Sequence, residues 1–162
     1  MSASVEDLLE HYESLPASKR AELDQLVDRR SAGQLWIPTV GPQLSAKNSE
    51  ADILLYGGEG GGGKTDLGLG LAFTEHERSL VIRHQYTDLR GITDRAKEIN
   101  GTDKGYNGSS PPRLTTVNKK IIDFGALSED GSEEAWQGQP HDLIYIDEVV
   151  QNREHQVRFL FS

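Results

Sequence analysis

The chain has 162 residues, a length typical of one ordinary domain. Its 17 Lys and Arg residues against 26 Asp and Glu residues give a net charge of −9, which excludes a basic module that holds nucleic acid by bulk electrostatics. Because the sequence has no cysteine, it also excludes a disulfide scaffold, a thiolate zinc site and a cysteine nucleophile.

Hydropathy places the chain among globular proteins. Hydrophobic residues make up 35% of the sequence, which is low for a globular domain but above the disordered range. No apolar run approaches the roughly 18 residues of a membrane span, and the acidic N-terminus lacks a signal-peptide core. We therefore expect a soluble cytoplasmic protein that is neither secreted nor bound to a membrane.

Residues 4–30 show the apolar periodicity of two short helices. Ser4 and Asp7 resemble a capping box at the start of the first helix, and Pro16 suits the first turn of the second. We assign residues 1–33 to an N-terminal helical arm. This arm either docks with its charged face in solvent or binds a partner.

From residue 34 onward the sequence alternates between strands and helices. Residues 31–50 are predicted to be irregular, and residues 51–56, 79–83 and 142–148 are predicted to be buried strands. Helices are predicted over 64–77 and 87–99, a flexible stretch over 100–113, a hairpin over 114–117 and 120–124, and a polar connection over 125–141. This order predicts an α/β fold with a mostly parallel sheet and flanking helices, which binds ligands at the carboxyl ends of its strands.

A glycine-rich loop follows the first predicted strand. Six of the 17 glycines, Gly57, Gly58, Gly60, Gly61, Gly62 and Gly63, lie within seven positions. Gly58 to Thr65 matches the phosphate-loop pattern G-x-x-x-x-G-K-[ST] at every position. Bare backbone amides can converge on phosphate oxygens, while Lys64 supplies a cation for the β and γ phosphates and Thr65 a hydroxyl for Mg²⁺.

Two carboxylates, Asp147 and Glu148, end the last predicted strand. An Asp at a strand tip beside a phosphate loop holds Mg²⁺ through water, and an adjacent Glu can polarise the attacking water. The pair therefore favours a motor-type ATPase that carries its own catalytic glutamate, Glu148. The base-reading Asn-Lys-x-Asp sequence that a GTPase would need is absent.

Over about residues 34–160 the sequence resembles the large terminase subunit of tailed bacteriophages. The resemblance rests on the Trp36-Ile37-Pro38 and Gly41-Pro42-Gln43 segment, residues 49–58, the phosphate loop, residues 69–72, 79–83 and 86–90, the Trp136-Gln137-Gly138 segment and residues 142–148. The Pro-Gln segment and the Gln-Gly before the Asp-Glu strand are the specific features. The phosphate loop alone is generic.

This resemblance implies a P-loop NTPase domain of the RecA-like class over residues 34–162, with ATP and Mg²⁺ as ligands. Gln43 would contact adenine, or it is an ordinary loop amide. Arg83 would either sense phosphate, contact a neighbouring subunit or be an ordinary surface charge. The family's members are ATP-driven motors that push double-stranded DNA into a preformed capsid. The implied partners are the DNA, the portal ring, the small terminase subunit and further copies in a ring, in the host cytoplasm.

The sequence departs from the family's pattern after the Asp-Glu strand. The family continues with a further strand, a Ser/Thr-rich coupling motif and a nuclease domain, whereas this sequence ends at Ser162. We therefore expect an ATPase domain truncated after the Asp-Glu strand, without nuclease activity. Two alternatives stay open: an inactive fragment that only binds ATP, and another P-loop motor of the helicase or recombinase type.

Overall fold

The structure is a computed structural model that describes residues 4–58 and 63–161, without the side chains of residues 5, 6 and 28–30. The chain divides into two compact units, Met1–Leu54 and Leu55–Ser162. The predicted boundary between residues 33 and 34 falls inside the first unit. Within the described residues, no helix is long and apolar enough to cross a membrane.

The first unit contains three helices, α1 (Val5–Ser14), α2 (Ala17–Ser31) and α3 (Pro42–Lys47). The predicted capping box at the start of α1 is confirmed: the Asp7 amide donates to Ser4 Oγ at 3.1 Å, and the Ser4 amide donates to Asp7 Oδ2 at 2.9 Å. The two predicted helices are therefore present. Helix α3 lies in the segment predicted to be irregular, where Pro42 occupies the first turn, the helical position that best tolerates a missing amide proton.

The second unit is built on a five-stranded mixed sheet flanked by helices. Its strands are β1 (Arg78–Arg83), β2 (Tyr106–Asn107), β3 (Arg113–Thr115), β4 (Ile121–Ala126) and β5 (Leu143–Ile146), in the order β2-β3-β4-β1-β5. Strand β1 pairs in parallel with β4 and with β5, whereas β3 pairs antiparallel with β2 and with β4. The predicted parallel sheet therefore corresponds to the three strands β4, β1 and β5. The predicted hairpin is the antiparallel pair of β3 and β4.

The helices of the second unit are α4 (Lys64–Thr74), α5 (Leu89–Asn100) and α6 (Glu154–Leu160), with short 3-10 helices at Tyr86–Asp88, Ser132–Trp136 and Val149–Gln151. Leu67, Leu69 and Phe73 of α4 are buried, whereas Leu71 is only partly buried. Both tryptophans, Trp36 and Trp136, are buried. The apolar residues of β1 and β4 form the centre of the core.

The prediction of a buried strand over residues 51–56 is wrong. These residues belong to no strand of the sheet, and Ile53, Leu54 and Leu55 are exposed. An apolar run becomes a strand only where a neighbouring strand takes up its backbone hydrogen bonds, and local sequence does not report that neighbour. Strand β5 is present as predicted, but its four residues are only partly buried because it lies at the edge of the sheet.

Candidate functional site

The candidate site begins at the carboxyl ends of two neighbouring parallel strands, β1 and β5. In their register Ile82 lies opposite Ile146, and the Asp147 amide donates to the Ile82 carbonyl at 2.9 Å. The next residue of each strand, Arg83 and Asp147, therefore emerges at the same edge of the sheet. This is the edge at which open α/β sheets bind their ligands.

Helix α4 brings the end of the phosphate loop to this edge. Gly63 precedes the helix with φ 65°, a left-handed conformation that glycine adopts at low cost. Two residues later, Thr65 Oγ1 donates to Asp147 Oδ2 at 3.1 Å. The structure thus joins two predicted site residues that are 82 positions apart in the sequence.

Asp147 is almost completely buried, with 3% of its surface exposed. Arg83 donates to its Oδ2 from Nε at 3.0 Å and from Nη2 at 2.7 Å, and the Tyr145 hydroxyl donates to Oδ1 at 3.1 Å. A buried carboxyl group without partners would be costly, and these donors together with the Thr65 hydroxyl supply hydrogen bonds to both of its oxygens.

The pKa values of the two neighbours respond to this carboxylate. Burial alone would lower the pKa of Arg83, but the hydrogen bond and charge of Asp147 and the charge of Glu148 raise it above its usual value. Burial, followed by the Asp147 charge, raises the pKa of the Tyr145 hydroxyl. At neutral pH Arg83 is therefore positively charged, and the Tyr145 hydroxyl keeps its proton and can donate it in a hydrogen bond.

Glu148 lies beside this cluster but is more open to solvent, with 42% of its side chain exposed. Its carboxylate accepts from Gln151 Nε2 at 2.6 Å and lies 3.6 Å from Arg83 Nη1. Its φ of 54° is unusual for a residue with a side chain, and such conformations cluster at functional sites. Glu148 therefore has the exposure to contact water and the neighbours to hold it in place.

Lys64 and Gly58 lie at the two ends of the predicted phosphate loop. Lys64 Nζ donates to the Gly58 carbonyl at 3.0 Å, and Gly58 has φ 143°, which favours glycine. The intervening loop glycines, Gly60, Gly61 and Gly62, lie outside the described residues. The contact between Lys64 and Gly58 folds the described ends of the loop toward each other.

Gln43, the predicted adenine contact, belongs to the first compact unit, whereas the other described site residues belong to the second. Its side chain is buried, and its Oε1 accepts from the Thr39 amide at 2.8 Å and from Thr39 Oγ1 at 2.9 Å. Its adenine contact stays a prediction. Arg83, in contrast, is not an ordinary surface charge, because only 20% of its side chain is exposed and it is paired with Asp147.

Sequence reasoning missed two residues that support Asp147. Tyr145 donates to it directly, and Gly68 of α4 leaves the space that the Tyr145 ring fills. A signal for Tyr145 was present: residues two apart on a strand face the same side, so Tyr145 points toward the same face as Asp147. No local pattern links Gly68 to that ring.

Comparison with known proteins adds no relative. The chain matches no family model, no curated protein and no solved structure.

Proposed function

We propose that the chain is the ATP-binding and ATP-hydrolysing portion of a bacteriophage DNA-packaging motor, with a P-loop NTPase fold of the RecA-like class. The observation that carries the proposal is the 3.1 Å contact between Thr65 Oγ1 and Asp147 Oδ2. It places the last residue of the phosphate-loop pattern against the first carboxylate of the Asp-Glu pair, at the ligand-binding edge of parallel strands.

The donor set at this contact fits Mg²⁺. A hydroxyl and a carboxylate are hard oxygen ligands, and Mg²⁺ is usually held by one or two such protein groups together with substrate phosphates. Thr65 and Asp147 would hold the ion, which when bound neutralises charge on the phosphates. Lys64 would bind the same phosphates, and the bare amides of Gly58 and Gly63 would lie along them with those of Gly60, Gly61 and Gly62.

Glu148 is the proposed general base. Its carboxylate accepts a proton from the water that attacks the terminal phosphate, and its exposure gives that water access. Before the ion binds, Arg83 holds Asp147 in position from the neighbouring strand. Gln43 would contact adenine. These roles require no residue outside the predicted set.

The packaging role rests on the terminase resemblance. Its partners are double-stranded DNA, the portal ring, the small terminase subunit and further copies of the chain in a ring, in the host cytoplasm. The net charge of −9 indicates that this chain alone has little affinity for DNA. We therefore propose that DNA is engaged only by the assembled motor.

The test is ATP binding and turnover by the full chain and three variants. We expect wild type to bind ATP with Mg²⁺ and hydrolyse it. Glu148→Gln should bind ATP but turn it over about 100-fold to 10,000-fold more slowly, the usual range for loss of a general base. Lys64→Ala should lose binding, and Glu134→Gln, which alters an exposed carboxylate outside the site, should resemble wild type.

Each alternative has its own result in this assay. ATP binding without turnover in wild type would identify a binding fragment rather than an enzyme. Turnover together with strand separation by the chain alone would favour a helicase-type motor. Equal ATP binding by wild type and Lys64→Ala would contradict the phosphate-loop assignment itself.

A further inference from the structure

The hydrogen bonds on Asp147 are distributed unevenly between its two oxygens. Oδ1 accepts one donor, Tyr145, whereas Oδ2 accepts three, from Thr65 Oγ1, Arg83 Nε and Arg83 Nη2. A carboxylate oxygen has about two lone-pair positions. Oδ2 therefore has no position left for a further ligand while Arg83 is in place.

Oδ2 is also the oxygen that faces the phosphate-loop hydroxyl. The single proton of Thr65 Oγ1 is used on Asp147, so the lone pairs of that hydroxyl remain available as ligands. A cation that binds Thr65 would arrive directly beside Oδ2. The Arg83 guanidinium already occupies this side of the carboxylate, 2.7 Å from it.

Charge makes the competition stronger. Arg83 lies between Asp147 and Glu148, at 2.7 Å and 3.6 Å, so one positive charge faces two negative ones. A divalent cation at Oδ2 would place three positive charges on the same two carboxylates. Because only 20% of the Arg83 side chain is exposed, solvent screens this repulsion weakly.

We propose that Arg83 is a built-in substitute for the divalent cation. It holds Asp147 through Oδ2 and must release that oxygen before the cation, or a water molecule bound to it, takes that position. This inference rests on the cation site of the proposed function. It assigns Arg83 as a positioning residue that keeps the buried carboxylate ordered. Tyr145, which holds the other oxygen, keeps Asp147 in the same orientation during the exchange.

The test measures Mn²⁺ binding to the full chain without nucleotide, by isothermal titration and by the rise in unfolding temperature. Arg83→Gln removes the charge that competes with the cation. We therefore expect this variant to reach half-saturation at about one tenth of the Mn²⁺ concentration that wild type needs, the change in affinity expected when one competing ion pair is lost. The matched control is Arg95→Gln. Arg95 also donates from Nε and Nη2 to an aspartate, Asp66 of α4, at 2.8 Å and 3.0 Å, one bond to each carboxylate oxygen. Because it makes no hydrogen bond to Asp147 within the described ranges, its loss should leave Mn²⁺ binding unchanged.

Mn²⁺ binding by Arg83→Gln that is absent, equal to wild type or weaker would overturn the proposal. Since Arg83→Gln leaves a buried carboxylate with fewer partners, a second measurement uses the unmodified protein. The Arg83 Nε–H signal in a ¹H–¹⁵N spectrum, assigned by its loss in Arg83→Lys, should shift when Mg²⁺ is added. A signal that stays unchanged at saturating Mg²⁺ would equally overturn it.

These results separate this inference from the proposed function, because neither measurement contains ATP. Tighter Mn²⁺ binding by Arg83→Gln in a chain that binds no ATP would keep the cation exchange and reject the ATPase. ATP hydrolysis by wild type, together with unchanged Mn²⁺ binding in Arg83→Gln, would keep the ATPase and reject the cation exchange.

Discussion

At the scale of single residues, the site depends on the hydrogen bonds that one buried carboxylate, that of Asp147, receives. Asp147 has 3% of its surface exposed and receives donors from three side chains on three elements. Two of these side chains, Thr65 and Arg83, lie on the side of Oδ2, where a ligand would bind. Tyr145 alone holds Oδ1, so its contribution can be measured separately.

We predict that Tyr145→Phe weakens the site without removing any group that touches a ligand. The lost hydrogen bond leaves Oδ1 unsatisfied in a buried position, which should lower the free energy of unfolding by about 1–3 kcal/mol. Asp147 should also become less well ordered, so the Mg²⁺ concentration for half-maximal ATP turnover should rise. Urea unfolding and a Mg²⁺ titration of ATPase activity measure the two effects.

Tyr106→Phe is the matched control for this substitution. The Tyr106 ring lies under Lys97 Nζ, and its hydroxyl makes no hydrogen bond to any residue in the described ranges. Its loss should change neither quantity. If Tyr145→Phe altered stability but left the Mg²⁺ dependence at the wild-type value, Tyr145 would have a packing role only.

At the scale of elements, the contact between α4 and β5 brings the two halves of the site together. A Cβ atom added at Gly68 would lie 2.5 Å from three ring atoms of Tyr145, closer than carbon atoms can approach. Only glycine at this position of α4 therefore lets the Tyr145 ring fit against the helix. The helix pays about 1 kcal/mol in propensity for it.

We predict that Gly68→Ala destabilises the second unit despite the higher helix propensity of alanine. Forcing a methyl group into a packed contact costs about 1–3 kcal/mol, which exceeds or matches the gain in propensity. Because the displaced ring carries the hydroxyl that holds Asp147, ATP turnover should fall as well. Urea unfolding and ATPase assays provide the measurements.

Gly91→Ala in α5 is the control for Gly68→Ala. An added Cβ at Gly91 would meet no atom within 4 Å, so this variant should be more stable than wild type by up to about 1 kcal/mol. Similar stabilisation by Gly68→Ala would show that the Tyr145 ring can move aside freely, and would contradict the tight α4–β5 contact.

The elements that sequence predicts well are those specified by local pattern. Strand β1, helices α4 and α5, and the β3–β4 hairpin all lie close to their predicted positions, because periodicity and turn residues encode them. The apolar run at residues 51–56 has the same local pattern as β1 but no strand beside it, so it is irregular. Whether a strand finds a partner is a property of the fold, not of the segment.

The same limit applies to the site. Lys64, Thr65, Asp147 and Glu148 could be named as candidate site residues because they lie in short motifs. Of these, the structure brings Thr65 and Asp147 into direct contact. The pairing of Arg83 with Asp147 could not, since it follows from the register of β1 against β5. Register depends on contacts 64 positions apart in the sequence, and no local signal reports them.

At the scale of the whole molecule, one buried charge cluster ties the sheet of the second unit together. Asp123 of β4 accepts from Arg113 of β3 at 2.5 Å and from Arg78 of β1 at 3.2 Å, and lies 3.1 Å from His141, which precedes β5. Burial alone would raise the pKa of Asp123, but His141, Arg113 and Arg78 together lower it to about 2. The charged form of Asp123 is therefore more favourable in the folded state than in the unfolded chain, so its ionisation stabilises the fold.

From this cluster we predict an acid limit to the stability of the second unit. A pKa lowered from 3.8 to about 2 contributes roughly 2 kcal/mol that is fully present above about pH 4 and is lost as the pH falls toward 2. Asp123→Asn should therefore be less stable than wild type at pH 7, and the difference should shrink between pH 4 and pH 2. Urea unfolding, followed by tryptophan fluorescence, measures this stability difference. The Trp36→Phe background leaves Trp136 as the one remaining tryptophan. Asp52→Asn, which removes an exposed carboxylate of the first unit, is the control for the loss of one negative charge. A stability difference for Asp123→Asn that stays constant from pH 7 to pH 2 would mean that the cluster holds the sheet by shape rather than by charge.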